Sequence, residues 1–349
     1  MLFNYRLFFR QYFHSLFSSR NTHARLTPKR IKVTIGFSIL YPIIWLFTTA
    51  GFICDHLLFG GFRKQSVENS VFILGNFRSG STMLHRLLAD DAKNFSVIKS
   101  WEIYTAPSIC QRKFLKGAKI VDGWFGSPFY KRLSDWNQRE LKQIKIHRTG
   151  VHEPEEDEGL FFYNWYSLFV WFFFPTLIEE APYFRFDQEY PEPVKRKLMK
   201  FYKRCIQRHL YAHGGKKHYL TKNPSMTGRI DSLLRFFPNA KIVFLIRNPI
   251  EAVSSQISWF SFAWNYFADP LEQYPFTDIL LEMAKYWYRY PLERLKKEPD
   301  DKYLIIKYET MVSDLEETIR SLYKTFGFSF DRAFADTDRK STRLNSSHY

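Results

Sequence analysis

The sequence predicts an α/β fold: a P-loop-like three-layer sandwich with a central parallel sheet, preceded by an N-terminal hydrophobic membrane-associating helix. Three observations lead there. Apolar runs at Val71–Leu74, Lys241–Ile246 and Tyr303–Tyr308 alternate with segments of helical character, the pattern of a parallel sheet covered on both faces. The octet Gly75-Asn76-Phe77-Arg78-Ser79-Gly80-Ser81-Thr82 stands between the first run and a helix expected over Thr82–Asp90, as an anion-binding loop does. Residues 33–54 contain no charged side chain.

The N-terminal region, residues 1–61, comes first. The uncharged stretch Val33–Cys54 is long enough to cross a bilayer. Arg6, Arg10, Arg20, Arg25, Lys29, Arg30 and Lys32 precede it, and only Arg63 and Lys64 follow closely, so the positive-inside rule puts the N-terminus in the cytosol and the large domain across the membrane. Pro42 interrupts the run, and Leu2–Phe17 reads as an aromatic, basic interfacial helix, which leaves a helix lying on the membrane as the alternative. Gly60-Gly61 closes the region, and the soluble domain is expected over 62–338. Residues 339–349 read as a non-native tail, with the natural C-terminus missing.

Within the domain, His218–Thr221 reads as a strand, followed by a turn at Asn223-Pro224 and a helix over Thr227–Phe237 that Pro238-Asn239 ends. Ser313-Asp-Leu-Glu316 reads as a capping box for a helix running to about Phe326.

Composition narrows the partners. The net charge of +16 over 349 residues favours anionic ligands or surfaces, but no nucleic-acid motif is present. Aromatic residues make up 19%, with 36 Phe, so large apolar faces must be covered by a core, a membrane or both. Cys54, Cys110 and Cys205 form neither a metal spacing nor a disulfide framework.

The loop octet departs from a triphosphatase P-loop at one place: Ser81 stands where a lysine would reach the β- and γ-phosphates. An arginine earlier in the loop, Arg78, suits a nucleotide lacking a γ-phosphate. The second informative segment is Phe244-Leu-Ile-Arg247-Asn248-Pro249, followed by a helical stretch to Ser258. Arg247 ends a strand, and Ser255 lies about two turns into the next helix, so the two are placed to grip one phosphate. Where a triphosphatase strand ends in an acid for Mg²⁺, this one ends in arginine, and no metal is expected.

These residues carry a resemblance. Phe72–Leu88 is similar to the 5′-phosphosulfate loop of the sulfotransferase superfamily, which uses 3′-phosphoadenosine-5′-phosphosulfate (PAPS). Arg247 and Ser255 resemble its 3′-phosphate pair, and Leu220–Arg247 and Lys307–Asp314 extend the likeness. The chain looks most like the microbial "sulfotransferase family" proteins and, more distantly, the tyrosylprotein sulfotransferases, over roughly residues 55–330. Phe77 departs from the proline usual before the basic residue.

The resemblance implies PAPS as donor cosubstrate and in-line transfer of its sulfuryl group to a hydroxyl or amine. Gly75, Asn76, Phe77, Arg78, Ser79, Gly80, Ser81 and Thr82 would hold the 5′-phosphosulfate, with Arg247 and Ser255 on the 3′-phosphate. Arg78 and Lys222 would stabilise the leaving oxygen. Glu102 is the first expectation for the general base, because it lies 24 residues after Arg78, close to where the tyrosylprotein sulfotransferases that the chain resembles carry a catalytic glutamate. The second is the segment His152-Glu-Pro-Glu-Glu-Asp-Glu158, through His152 or Glu155, although Pro154 followed by acids also fits a plain helix start. The acceptor stays open among a glycan, a lipid-like alcohol, a phenol and a protein tyrosine. A eukaryotic source implies a Golgi-type lumen, a bacterial one the cytoplasmic membrane face. Two rivals remain: a P-loop kinase-type phosphotransferase, and a catalytically inert membrane-tethered nucleotide-binding protein.

Overall fold

In strand β1 (Val71–Gly75) every residue is buried, and alternate side chains enter two different cores. Phe72 and Leu74 join one cluster, Val71 and Ile73 the other. Strand β4 (Lys241–Ile246) repeats this, with Ile242 and Phe244 on the first side and Val243 and Leu245 on the second. Period-two side chains that are apolar on both faces require a covering layer on each side. The computed structural model, which describes residues 2–136 and 150–330, has that three-layer arrangement.

The sheet has five parallel strands in the order β2-β3-β1-β4-β5, with β2 at Phe95–Val97, β3 at His218–Lys222, β4 at Lys241–Ile246 and β5 at Tyr303–Lys307. From β1 the chain builds one side of the sheet and then returns to build the other, so the switch point lies between β1 and β4. Ligands of open α/β sheets bind outside the strand ends there. The loop octet leaves β1 at that point and runs into a helix at Ser81–Ala89.

The helices up to the first layer are α1 (Tyr5–Phe17), α2 (Pro28–Leu58), α3 (Ser81–Ala89), α4 (Ser100–Tyr104) and α5 (Ile109–Trp124). Two later ones matter for the site: α6 (Glu192–Ala212) and α7 (Pro249–Phe267). Helix α3 packs Leu84, Leu87 and Leu88 into the second core, together with Ile319, Leu322 and Phe326 of the helix Leu315–Phe326.

Helix α2 is longer than the uncharged run and is docked along its length rather than standing free. Lys29 pairs with Asp269 at 2.6 Å near its start. Tyr41 Oη donates to the Phe162 carbonyl at 3.0 Å and Trp45 Nε1 to that of Tyr163 at 3.1 Å. Near its end, buried Asp55 accepts from Arg208 Nε at 2.8 Å and from the N–H groups of Ile109 and Cys110, the start of α5. Gly51 permits the approach, because a Cβ there would lie 2.5 Å from Ser108 Oγ.

Three local expectations change. A short strand, β2, forms at Phe95–Val97, where no strand is expected. The helix expected over Thr227–Phe237 is a 3₁₀ segment, Pro224–Arg229, followed by an α-helix at Ile230–Phe236. Asp314, not Ser313, caps the last helix, accepting from Glu317 N at 3.0 Å; Ser313 ends the preceding short helix. The expected non-native tail, 339–349, lies outside the described residues.

Candidate functional site

The loop after β1 can exist only with glycine at both ends. Gly75 has φ +139°, and a Cβ there would lie 2.5 Å from the Leu245 carbonyl oxygen of β4. Gly80 has φ +88°, and a Cβ would meet the Tyr308 ring at 2.5 Å. Between them Arg78 holds φ +66°, a conformation that costs a non-glycine residue energy and that concentrates at functional sites. Gly75 N–H donates to Thr227 Oγ1 at 3.0 Å, anchoring the turn to the segment after β3.

Phe77 replaces the stiffening effect of proline by packing. It is buried, stacks on Trp259 at 5.8 Å between centroids, meets Phe260 edge-on and lies tilted against Trp287. The loop is therefore clamped by the aromatic face of α7.

Among the described residues, no carbonyl or side chain is found to accept from the N–H groups of Gly80, Ser81 and Thr82. These are the donors at a helix N-terminus, where the backbone favours an anion. Ser79 Oγ and Asn76 Oδ1 are also buried without a protein partner. A cradle that tolerates no Cβ, carrying unpaired donors, fits a phosphate-like group.

The structure brings Arg78, Arg247 and Ser255 together. Arg78 Nε donates to Ser255 Oγ at 2.9 Å. Arg247 Nη1 donates to the Arg78 carbonyl at 3.1 Å, and its guanidinium lies over the Tyr308 ring at 4.5 Å. Tyr288 Oη holds the Arg247 carbonyl at 2.9 Å. Arg247 also pairs with Glu251, one helical turn on in α7, at 2.8 Å.

Lys222, at the end of β3, is 5% exposed and reaches the loop: its Nζ donates to Thr82 Oγ1 at 3.1 Å. Its other partner is Glu156, in ion-pair contact. Behind them, burial and the neighbouring Lys222 push the His85 imidazole down to about 3, so it is neutral.

The acidic segment divides by role. Asp157 is fully buried and accepts from Tyr202 Oη, Tyr219 Oη at 2.8 Å and Asn223 Nδ2 at 2.7 Å. Glu158 forms a buried, two-pronged pair with Arg229 at 2.7 and 3.1 Å. These two acids fix the segment to the core. Glu155 turns back on its own chain, its Oε1 accepting from Glu156 N at 2.9 Å, and His152 is exposed. Glu156 is the acid the segment delivers to Lys222 and the loop, and sequence reasoning missed it. Its only signal was membership of the acidic run, which does not say which acid faces inward.

Glu102 is not brought to the loop. It is 1% exposed, caps its own helix α4 through Lys99 N at 2.9 Å, and pairs with Arg112 at 3.1 Å and His213 Nε2 at 2.8 Å. Burial alone would raise its carboxyl, but His213, His209 and Arg112 hold it well below the usual carboxylate range. Each of its oxygens is committed to the helix or to a cationic or imidazole group, which suits an anchor and leaves no free basic oxygen for an acceptor.

Glu102, His209 and His213 also present ligand atoms within 4.8 Å of one another, the residue types of a metal centre. The Arg112 guanidinium lies among them, 3.1 Å from Glu102 and 3.2 Å from His209 Nδ1. Burial holds His209 well below its ordinary value and therefore neutral. Its Nδ1 accepts from Arg112, so Nε2–H donates to Ser96 Oγ at 2.9 Å. An arginine is the cation of this cluster. A cavity of about 270 Å³ adjoins it, lined by Phe59, Trp101, Lys113 and His213 among others, and no lining residue belongs to the loop.

Comparison with known proteins follows the same lines. A family model described as "Sulfotransferase family" matches residues 70–332. The chain is 24% identical over 305 residues, covering 83% of it and 71% of the relative, to the protein named omega-hydroxy-beta-dihydromenaquinone-9 sulfotransferase Stf3 in Mycobacterium bovis and in Mycobacterium tuberculosis. Among solved structures, sulfotransferase STF9 from Mycobacterium avium superposes with a TM-score of 0.69 at 17% identity, covering 97% of this chain and 83% of that one. Sulfotransferase STF1 from Mycobacterium tuberculosis gives 0.65 at 16% identity, covering 95% and 85%. At these identities the structural likeness shows the fold.

Proposed function

The chain belongs to the sulfotransferase family, and from that premise we propose that it moves the sulfuryl group of PAPS to a hydroxyl acceptor by in-line displacement. The observation that carries this reading is the convergence of Arg78, Ser255 and Arg247 on a glycine cradle whose loop N–H groups are unpaired.

The residues divide as follows. Gly75–Thr82 supply backbone donors for the 5′-phosphosulfate, and Arg247 with Ser255 recognises the 3′-phosphate. PAPS supplies the activated sulfuryl group. Lys222 and Arg78 stabilise negative charge growing on the bridging oxygen, a preorganised electrostatic contribution. Glu156 takes the acceptor proton as the new O–S bond forms and the bridging S–O bond breaks, releasing 3′-phosphoadenosine-5′-phosphate (PAP). Glu156 is preferred to Glu102, His152 or Glu155 because it alone of the four touches Lys222.

The acceptor class is a hydroxyl-bearing, lipid-like molecule. The mycobacterial relatives are named for omega-hydroxy-beta-dihydromenaquinone-9, and the apolar N-terminal helix α2 supports a place at a membrane. Transfer of labelled sulfate from PAPS to lipid-extract alcohols tests the proposal. Label appearing in a lipid fraction supports it, and label confined to water-soluble acceptors refutes the acceptor class.

A further inference from the structure

Helix α1 is an aromatic stripe facing outward. Tyr5, Phe9, Phe13 and Phe17 recur every fourth residue and are 56%, 48%, 51% and 80% exposed. Its other face lies against α2 in antiparallel fashion: Phe3 meets Trp45, Phe8 meets Tyr41, and Tyr12 Oη bonds Ser38 Oγ at 2.6 Å. Helix α2 continues the same outer surface. Ile35, Ile39, Ile43, Ile53 and Leu57 are all more than half exposed, on the side opposite the buried Thr34, Tyr41, Thr48 and Asp55. Phe47 of α2 then meets Phe114 of α5 at 6.1 Å, carrying the surface onto a third helix whose Trp124 is 77% exposed. An apolar face continuous over three helices exceeds what a soluble monomer leaves in water.

A transmembrane crossing does not suit this arrangement. The contacts pinning α2 run from Lys29–Asp269 at one end to Asp55–Arg208 at the other. Moving residues 33–54 across a bilayer would drag Gln111, which bonds Thr48, and the irregular backbone at Phe162–Tyr163 into hydrocarbon, or would break every one of these bonds. The surface also carries exposed cations: Arg6 on α1, Lys32 on α2, and Lys113, Lys116 and Lys119 on α5, while Arg10 of α1 pairs with Glu180. Apolar side chains with basic residues among them match an anionic leaflet in both hydrophobicity and charge.

We propose that α1, α2 and α5 form a monotopic docking face for an anionic lipid bilayer. The hairpin lies along one leaflet, and the catalytic domain stays on the same side as the N-terminus. This stands apart from the donor and acceptor assignments, because its test reads binding and topology rather than sulfonation.

The test is flotation of the full chain with phosphatidylcholine vesicles containing phosphatidylglycerol, against phosphatidylcholine alone. The wild type is expected to float with the anionic vesicles, and less with neutral ones or at high salt. Ile39→Asp/Ile43→Asp should weaken binding by about ten-fold or more with melting unchanged, since two apolar contacts with the leaflet are lost. Equal binding by that variant, or no binding by the wild type, overturns the proposal. So does a wild-type dimer, made monomeric by the variant without any vesicle binding, which would assign the face to a second copy. For topology, Arg20→Cys and Asp300→Cys, each in membranes of expressing cells, should react with an impermeant maleimide from the same face. Reaction from opposite faces means that α2 crosses, and the monotopic arrangement is wrong.

Discussion

Arg78 Nε donates to Ser255 Oγ at 2.9 Å, joining the loop after β1 to the helix after β4. The two residues are far apart in sequence and were assigned to opposite ends of the donor. Their contact joins the proposed 5′ and 3′ recognition elements across the switch point. Arg78→Ala is expected to lower sulfonation by about 10²–10³-fold, the scale of losing one preorganised donor at developing charge. It should also weaken PAP binding. Wild-type turnover in this variant would remove Arg78 from the site.

Arg247 is held by Glu251 at 2.8 Å, a carboxylate standing where a phosphate would compete. Arg247→Ala should erase the preference for PAP over ADP. Glu251→Gln should tighten PAP binding by about two- to five-fold, because an exposed ion pair offers only weak competition. Calorimetric affinities for both nucleotides decide this. Equal binding of PAP and ADP to the wild type would contradict the 3′-phosphate assignment.

Glu156 touches Lys222, and Lys222 touches Thr82 of the loop. Glu156→Gln should reduce kcat by about 10²–10⁴-fold, as for a lost general base. PAP affinity should be retained in that variant. A role confined to positioning Lys222 would instead weaken PAP binding together with kcat.

Glu102 and Arg112 are both buried, 3.1 Å apart. Removing one partner of such a pair leaves a buried charge, at a cost of about 3–5 kcal/mol. Arg112→Met should therefore lower the unfolding free energy by that amount while turnover per folded molecule is retained. Denaturant titration with an active-site count separates the two effects. A catalytic Glu102 would instead show as lost kcat at unchanged stability in Glu102→Gln.

Burial raises the Asp157 carboxyl to about 6, although Tyr202, Tyr219 and Asn223 oppose the shift through hydrogen bonds. In an unfolded chain the same group titrates near about 4. The folded protein binds this proton more tightly, so the contribution of Asp157 to stability falls as pH rises from about 4 to about 6, with the full penalty present above that window. Between those limits Asp157→Asn should gain roughly 3 kcal/mol relative to wild type. Paired unfolding curves at several pH values check this, and a flat difference would contradict the raised value.

The parts of the site that were legible in the sequence are those whose geometry is local. Gly75, Arg78 and Gly80 lie within one turn between a strand and a helix, so their arrangement follows from the elements around them. Arg247 and Ser255 are set by a strand end and the helix that Asn248 caps. What stayed hidden depends on distant contacts. Glu156 was one acid among several, and its selection rests on Asp157 and Glu158 being tied down by Tyr202, Tyr219, Asn223 and Arg229. The resemblance marked Glu102 as the base, but Arg112, His209 and His213, which hold it, come from α5 and from the C-terminal end of α6. Strand β2 is three residues long, too short for periodicity to register. The apolar run of α2 has the length of a membrane span, and nothing in its composition revealed that Asp55 and Lys29 fasten its two ends to the domain.

The identity of the donor decides the roles proposed for Arg78, Arg247 and Ser255. Calorimetric titration of the full chain with PAP, beside ATP·Mg²⁺, tests this directly. Saturable binding of PAP, absent in Arg78→Ala and without comparable binding of ATP·Mg²⁺, is the predicted result. Preferential binding of ATP·Mg²⁺ would contradict the donor assignment and return the site to phosphoryl transfer.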